Sequence, residues 1–306
     1  MDGLILVDKP WGLTSHDVVS KLRRILGLRQ VGHFGTLDPL ATGLLLVGVG
    51  KATRLFPVLS KHDKAYRGRI RLGLATDTYD AEGQPISAPC CNFPDEKELV
   101  RAMAGLSGTI EQLPPPYSAK KVEGKPLYKW TRSKKSVELR PHRVSIYAFR
   151  LIRYVPPDVD VEIDCSAGTY IRSLAHDLGQ VLGCGAHLAD LCRTRVGSFE
   201  LSEAVSLDKI QEWTSRKQTE KFLRPLESLL EEWPKLLLHR RADRGIAKGR
   251  AIEAEQVAQL SEGRRCKGRT NLEEPLIRLF SFDGKFLGLA RPDKRDRKII
   301  PFLLLR

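Results

Sequence analysis

The chain has 306 residues, 42% of them hydrophobic and 29% charged, which excludes disorder as the main state and allows one large domain or two without staples. Lys and Arg outnumber Asp and Glu by 51 to 37, a formal net charge of +14 that points to a polyanionic partner, most simply nucleic acid. The longest apolar runs, such as Leu44 to Val49, fall well short of a bilayer span, and the start Met1-Asp2-Gly3 lacks the pattern of a secretory leader, so a cytoplasmic location is expected.

In chain order, Leu4 to Val7 reads as a buried strand stopped by Lys9-Pro10 and Gly12. Ser15 is predicted to cap a helix whose apolar residues Val18, Val19, Leu22, Ile25 and Leu26 follow helical spacing up to Gly27. A glycine-studded loop from Gly32 to Gly43 precedes an apolar strand, Leu44 to Val49. Tyr66 to Leu72 alternates strictly, with Tyr66, Gly68, Ile70 and Leu72 on one face and Arg67, Arg69 and Arg71 on the other. Asp95 to Ala104 reads as a helix ending at Gly105, Val144 to Tyr154 and Val159 to Cys165 as strands, and Tyr170 to Leu182 as a helix closed by Gly183. Short helices are predicted at Asp208 to Trp213 and Pro225 to Glu232. Phe280 to Leu287 reads as a hairpin turning at Asp283-Gly284, and Ile299 to Leu305 as a closing strand. Strands and helices mix without a regular βαβ rhythm, which gives an α+β class with a small β-rich tail.

The six cysteines form no Cys-x-x-Cys pair, and the seven histidines add no metal spacing, so reduced thiols are expected. The positive excess sits in two segments. Residues 114–143 carry nine Lys or Arg against two acids, and residues 235–306 carry eighteen against nine. In the first, Tyr117, Tyr128 and Trp130 interleave with Lys120, Lys121, Lys125 and Lys129, cations for phosphates beside flat rings for exposed bases. A solvated basic loop has the same composition.

The densest segment is Gly32-His-Phe-Gly-Thr-Leu-Asp38-Pro-Leu-Ala-Thr-Gly43. No Gly-Lys-Ser/Thr follows, so it is not a Walker A loop, and the Gly32-x-x-Gly35 spacing is not a dinucleotide fingerprint. A tight turn with Asp38 before Pro39 remains open on composition alone. The segment resembles the catalytic motif of TruB-type tRNA pseudouridine synthases. Other blocks resemble the same family in the same order. They are Leu6-Val7-Asp8-Lys9-Pro10 with Thr14-Ser15, Asp63-Lys64-Ala65-Tyr66, Gly73 to Gly83, and Pro115 to Lys121. Cys165 to Leu174 and Gly183 to Arg195 complete the set, which spans residues 4–199. Phe34 departs from the smaller or polar residue expected beside the histidine.

The resemblance implies a catalytic domain over residues 1–234 built on a long mixed or antiparallel sheet, with a basic RNA-gripping insertion at about 114–143. Residues 235–306 would form a small PUA-like RNA-binding domain. The implied reaction is isomerisation of uridine to pseudouridine at position 55 in the tRNA T-loop, with no cofactor and no metal. The implied partner is tRNA, gripped at the T-arm and, by the tail, at the acceptor stem; a monomer without an obligate protein partner and without a membrane contact is expected.

By the same resemblance, Asp38 would be the nucleophile, ionised at neutral pH without a base. Arg172 would pair with Asp38, and Tyr66, also catalytic, would stack on the uracil and help proton removal from C5. Tyr170 and Leu191 would line the pocket. His33 would fill the space that the flipped uridine leaves. Lys9 would support the floor, and Lys120 and Lys121 would meet RNA phosphates. A non-catalytic RNA-binding protein shares the basic segments but gains nothing from Asp38 and Arg172. A synthase working within a guide-RNA complex has less use for a basic insertion of its own.

Overall fold

A computed structural model describes residues 1–117, 121–122, 125–126, 140–240, 246, 251–253, 256–263, 276–293 and 298–305. In chain order the first elements are β1 (Gly3–Lys9), α1 (Ser15–Leu26), β2 (Val31–His33), β3 (Ala41–Val49), α2 (Phe56–Leu59) and β4 (Lys64–Leu72). Then come α3 (Glu96–Gly105), β5 (Gly108–Gln112), the short strands β6 (Lys121–Val122) and β7 (Lys125–Pro126), and β8 (His142–Val155). They are followed by β9 (Asp158–Cys165), α4 (Ile171–Val181), β10 (Ala186–Val196) and β11 (Phe199–Glu200). The last are α5 (Leu207–Ser215), β12 (Leu223–Arg224), β13 (Lys235–Leu238), β14 (Val257–Ser261), β15 (Ile277–Phe280), β16 (Phe286–Pro292) and β17 (Ile299–Leu304). Contacts divide the chain into two units. One comprises Met1–Asp38, Leu44–His62 and Gly197–Arg306, the other Pro39–Gly43 and Asp63–Val196.

The second unit is built on strands in the order β10-β4-β9-β8-β5, all antiparallel. The first residues of β3 add a parallel edge, Ala41, Thr42 and Gly43 facing Leu191, Cys192 and Arg193, which makes the sheet mixed. Gly43 has φ of +92°, and a Cβ there would stand 2.5 Å from the Arg193 carbonyl oxygen, so only glycine lets β3 come this close to β10. The alternation predicted for β4 holds: Tyr66, Ile70 and Leu72 are buried, while Arg67, Arg69 and Arg71 are exposed. These arginines face Glu162, Asp160 and Asp158 of β9 directly and pair with them at 2.8, 2.7 and 2.8 Å. Exposed pairs add little stability, but three in a row fix the register, because a one-residue slip would turn every side chain to the other face. α4 buries Ile171, Leu174, Ala175 and Leu178 and packs on β10.

In the first unit β12 pairs antiparallel with β1, β1 lies beside β3, and β2 pairs antiparallel with β3. α1 starts at Ser15, but its cap is Thr14, not Ser15 as expected. The Thr14 hydroxyl accepts from Asp17 N at 3.0 Å and the Asp17 carboxylate accepts from Thr14 N at 2.9 Å. This reciprocal box occupies Thr14 and frees Ser15 for another task. Gly27 ends the helix in the left-handed region at φ of +65°. The helix predicted at Pro225 to Glu232 is only a short 3-10 turn at Leu226–Ser228, since Leu230 at φ of +61° lies outside helical conformation.

Within this unit the C-terminal strands form a sheet of their own, ordered β14-β13-β15-β16-β17 over a core of Leu236, Leu238, Ile246, Ile252, Ile277, Leu279 and Ala290. The predicted hairpin is β15–β16, turning at Gly284 with φ of +83°. The buried Arg278 donates from Nε to the Trp233 carbonyl at 3.1 Å and from Nη1 to that of Leu229 at 3.3 Å. Among the described residues no helix is long and apolar enough to cross a membrane.

Candidate active site

Each unit carries part of the set expected from the sequence. In the first, His33 ends β2 opposite Val47. The next residue, Phe34, is 2% exposed, and its ring lies over Gly48 where a Cβ would collide with it. The departure at Phe34 is thus an inward core residue packed on a glycine. The loop beyond is tied to α1. The buried Ser15 hydroxyl accepts from Leu37 N at 2.8 Å and donates to the Leu37 carbonyl at 3.1 Å, fixing the residue before Asp38. Asp38 itself is half-buried. Lys9 is fully buried, and its Nζ donates to the carbonyls of Pro10 at 2.9 Å and Leu13 at 2.5 Å, which folds the Lys9-Pro10 turn onto the start of α1.

In the second unit, Tyr66 lies on the buried face of β4, opposite Arg193 on β10 and Ile163 on β9. Two residues before it on the same face, burial pushes Lys64 down to about 8, and Arg193 pushes the same way. Burial also pushes the Cys165 thiol up to about 12, so it stays protonated. Tyr170 caps α4, and the Gln112 amide clamps its backbone, accepting from its N at 2.8 Å and donating to its carbonyl at 3.0 Å. Its ring meets His142 edge-on, with centroids 5.7 Å apart. Leu191 is buried in β10 beside Ala41, and its carbonyl accepts from the Thr42 hydroxyl at 3.4 Å. The end of the Gly32–Gly43 motif and Leu191 therefore meet.

Arg172 opens α4 and is buried. Its Nη1 donates to the Thr78 carbonyl at 3.1 Å and to Asp80 Oδ2 at 3.3 Å, and its Nη2 donates to the Tyr117 carbonyl at 2.8 Å. Asp80 is held in turn by the Thr78 hydroxyl at 2.5 Å and Glu82 N at 3.1 Å. Sequence reasoning missed the tasks of Ser15, Asp80 and Gln112. The first two lie inside quoted motifs, but nothing local shows which distant group each meets. Lys120 lies outside the described residues; Lys121 falls on β6, with only its backbone described.

In the second unit, a buried arginine cradled by carbonyls and a carboxylate holds a positive charge where little water reaches it. The description TruB family pseudouridylate synthase (N terminal domain) matches residues 23–171, and tRNA pseudouridylate synthase B C-terminal domain matches residues 172–231. A tRNA pseudouridine synthase B from Syntrophotalea carbinolica is 43% identical over 236 residues, 77% of each chain. The chain belongs to the TruB family. Another relative of that name, from Aromatoleum aromaticum, is 39% identical over 96% of this chain and 89% of its own. Among solved structures, a chain of a Cbf5-Nop10-Gar1 complex superposes with a TM-score of 0.73 at 25% identity, covering 99% of this chain and 85% of that one. A chain of an H/ACA RNP bound to a substrate RNA gives the same TM-score at 24% identity, with the same coverage, a likeness of fold. The TruB motifs quoted above therefore belong to a TruB chain, and the mixed sheet with a small C-terminal β-sheet is the fold expected of it.

Proposed function

We propose that this chain isomerises uridine to pseudouridine at position 55 in the tRNA T-loop, with Asp38 as nucleophile. The observation that carries the reading is the paired anchoring of the motif: Ser15 fixes Leu37 just before Asp38, and β10 holds residues 41–43 just after it. In this reaction the C1′–N1 bond breaks, a C1′–C5 bond forms, C5 loses its proton and N1 gains one, so nothing is oxidised and no atom is added. The Asp38 carboxylate supplies the negative charge for attack or proton abstraction. Arg172 orients it and balances that charge. Tyr66 stacks on the uracil, Tyr170 and Leu191 wall the pocket, and His33 fills the space left by the flipped base. Lys9 holds the turn beneath. Lys120 and Lys121 of the basic insertion meet phosphates, and residues 235–306, as a PUA-like domain, contact the acceptor stem. The protein acts as a monomer in the cytoplasm, with residues 1–234 carrying catalysis.

The test is an unmodified tRNA transcript incubated with the full-length protein and mapped for pseudouridine at each uridine. Modification at position 55 without added guide RNA is expected, and a requirement for guide RNA overturns the stand-alone reading. Asp38→Asn is nearly isosteric and lacks the charge; it is expected to bind tRNA and make no pseudouridine. A folded Asp38→Asn protein that turns over at the parent rate refutes the nucleophile.

A further inference from the structure

Arg172 is cradled by a turn with an unusual backbone. Tyr79 has φ of +65°, a left-handed conformation that a bulky side chain rarely adopts. Its neighbours are Thr78, whose carbonyl accepts from Arg172 Nη1, and Asp80, whose carboxylate accepts from the same nitrogen. The left-handed turn between them lets a carbonyl and a carboxylate two residues apart converge on one donor. Such strain persists only where the surroundings hold it. Two contacts do so. The Tyr79 carbonyl accepts from Leu188 N on β10 at 3.0 Å. The Tyr79 ring stacks on His176, with centroids 3.8 Å apart and planes 12° from parallel.

His176 lies four residues after Arg172 on α4, one turn along the same helix face. The turn at residues 78–80 is thus joined to α4 twice, by Arg172 and by the stack. His176 Nδ1 is buried with no hydrogen-bond partner among the described residues, and the ring's described contact is its stack on Tyr79. Burial pushes its pKa down, which favours the uncharged ring.

We propose that Tyr79 and His176 are positioning residues: their stack locks the strained turn that aims Thr78 and Asp80 at Arg172, and so sets the guanidinium for chemistry. The inference rests on the catalytic role given to Arg172 above. Neither residue touches the reacting base; both act through Arg172. Tyr79→Gly relieves the backbone strain and removes the ring, and His176→Ala removes the other half of the stack. Tyr79→Phe and His176→Phe each keep two stacked rings.

The test uses full-length protein, unmodified tRNA transcript and excess enzyme, with binding measured separately. Tyr79→Gly and His176→Ala are expected to slow the single-turnover rate about ten- to a hundredfold, the scale of an ångström-level misplacement. The tRNA Kd is expected to stay within about twofold, since only an interaction made in the chemical step is lost. The two Phe variants restore the rate, and the double variant Tyr79→Gly/His176→Ala is no slower than the worse single, because both break one contact. Additive losses, a changed Kd at an unchanged rate, or Phe variants as slow as Tyr79→Gly overturn the proposal. If Tyr79→Gly or His176→Ala fails to fold, the Phe variants decide, since a stack that matters only by its rings must survive both. Arg172→Ala and Asp38→Asn run alongside. Parent turnover in Arg172→Ala sinks the role of Arg172 itself, whereas parent turnover in Tyr79→Gly with those two variants inert sinks the clasp alone.

Discussion

Asp80 and Arg172 face each other with side chains 5% and 7% exposed, a charge pair taken almost wholly out of water. Removing one member takes a buried charge partner from the other, at a cost on the order of 3 kcal/mol. Asp80→Asn keeps the shape and loses the charge, so a lower melting temperature and a slower single-turnover rate are expected, with tRNA binding retained; a variant equal to the parent in both refutes the coupling. A second titratable group on α4 gives a pH signature. Burial pushes Asp177 from its ordinary 3.8 up to about 6. The folded state therefore holds that proton more tightly than the unfolded chain. Its contribution is fully present below about pH 4 and is lost as pH rises through 6. Asp177→Asn cannot titrate, so it is expected to stabilise the protein at pH 7 by about 1 kcal/mol after allowance for solvent, and to change nothing at pH 3.5. Melting curves at both pH values check this, and equal shifts at the two would contradict it.

At the scale of elements, α1 does more than pack. Its first residue, Ser15, spends both hydrogen-bonding capacities on Leu37, so the helix sets the position of the loop that precedes Asp38. Ser15→Ala leaves a buried N–H and carbonyl without that partner, a penalty of about 1–3 kcal/mol. Slower chemistry with little change in KM is expected, read from steady-state and single-turnover kinetics, and an effect confined to KM would argue for a binding role instead. Periodicity made α1 and β4 legible, and an Asp-Gly pair made the β15–β16 hairpin legible, because each is written in neighbouring residues. β10 was not read as a strand. Its residues His187, Asp190, Arg193 and Arg195 interrupt the apolar pattern, and Arg193 is nevertheless 1% exposed. Only distant partners make that burial tolerable, and a local pattern cannot name them. The motif residues of the site were legible from resemblance, whereas the Arg172–Asp80 pair depends on a contact that spacing does not encode; the Thr14 cap was missed although Thr14-x-x-Asp17 carries the capping-box spacing.

For the whole molecule, the tail, itself part of the first unit, is tied by a side chain to the segment that precedes it. Arg278 of β15 donates to the carbonyls of Leu229 and Trp233, just ahead of β13. Deleting residues 235–306 removes those donors together with the eighteen basic residues of the tail. The truncated chain is expected to melt at a lower temperature and to show a shallower salt dependence of tRNA binding. Measured Kd values across a salt series test this, and an unchanged slope would mean the tail meets no phosphates. The pairing of β3 with β10 bears on how the molecule comes to be made. Thr42 and Leu191, joined there by a hydrogen bond, stand 149 positions apart in the chain. A nascent chain that has emerged only through β4 already carries Asp38, yet it has no strand on which the end of that loop can settle. Synthesis runs from the N-terminus at a finite pace, so the loop waits for β10. An unfinished chain on the ribosome, surrounded by RNA, is therefore expected to leave the uridines it meets unchanged until β10 has emerged.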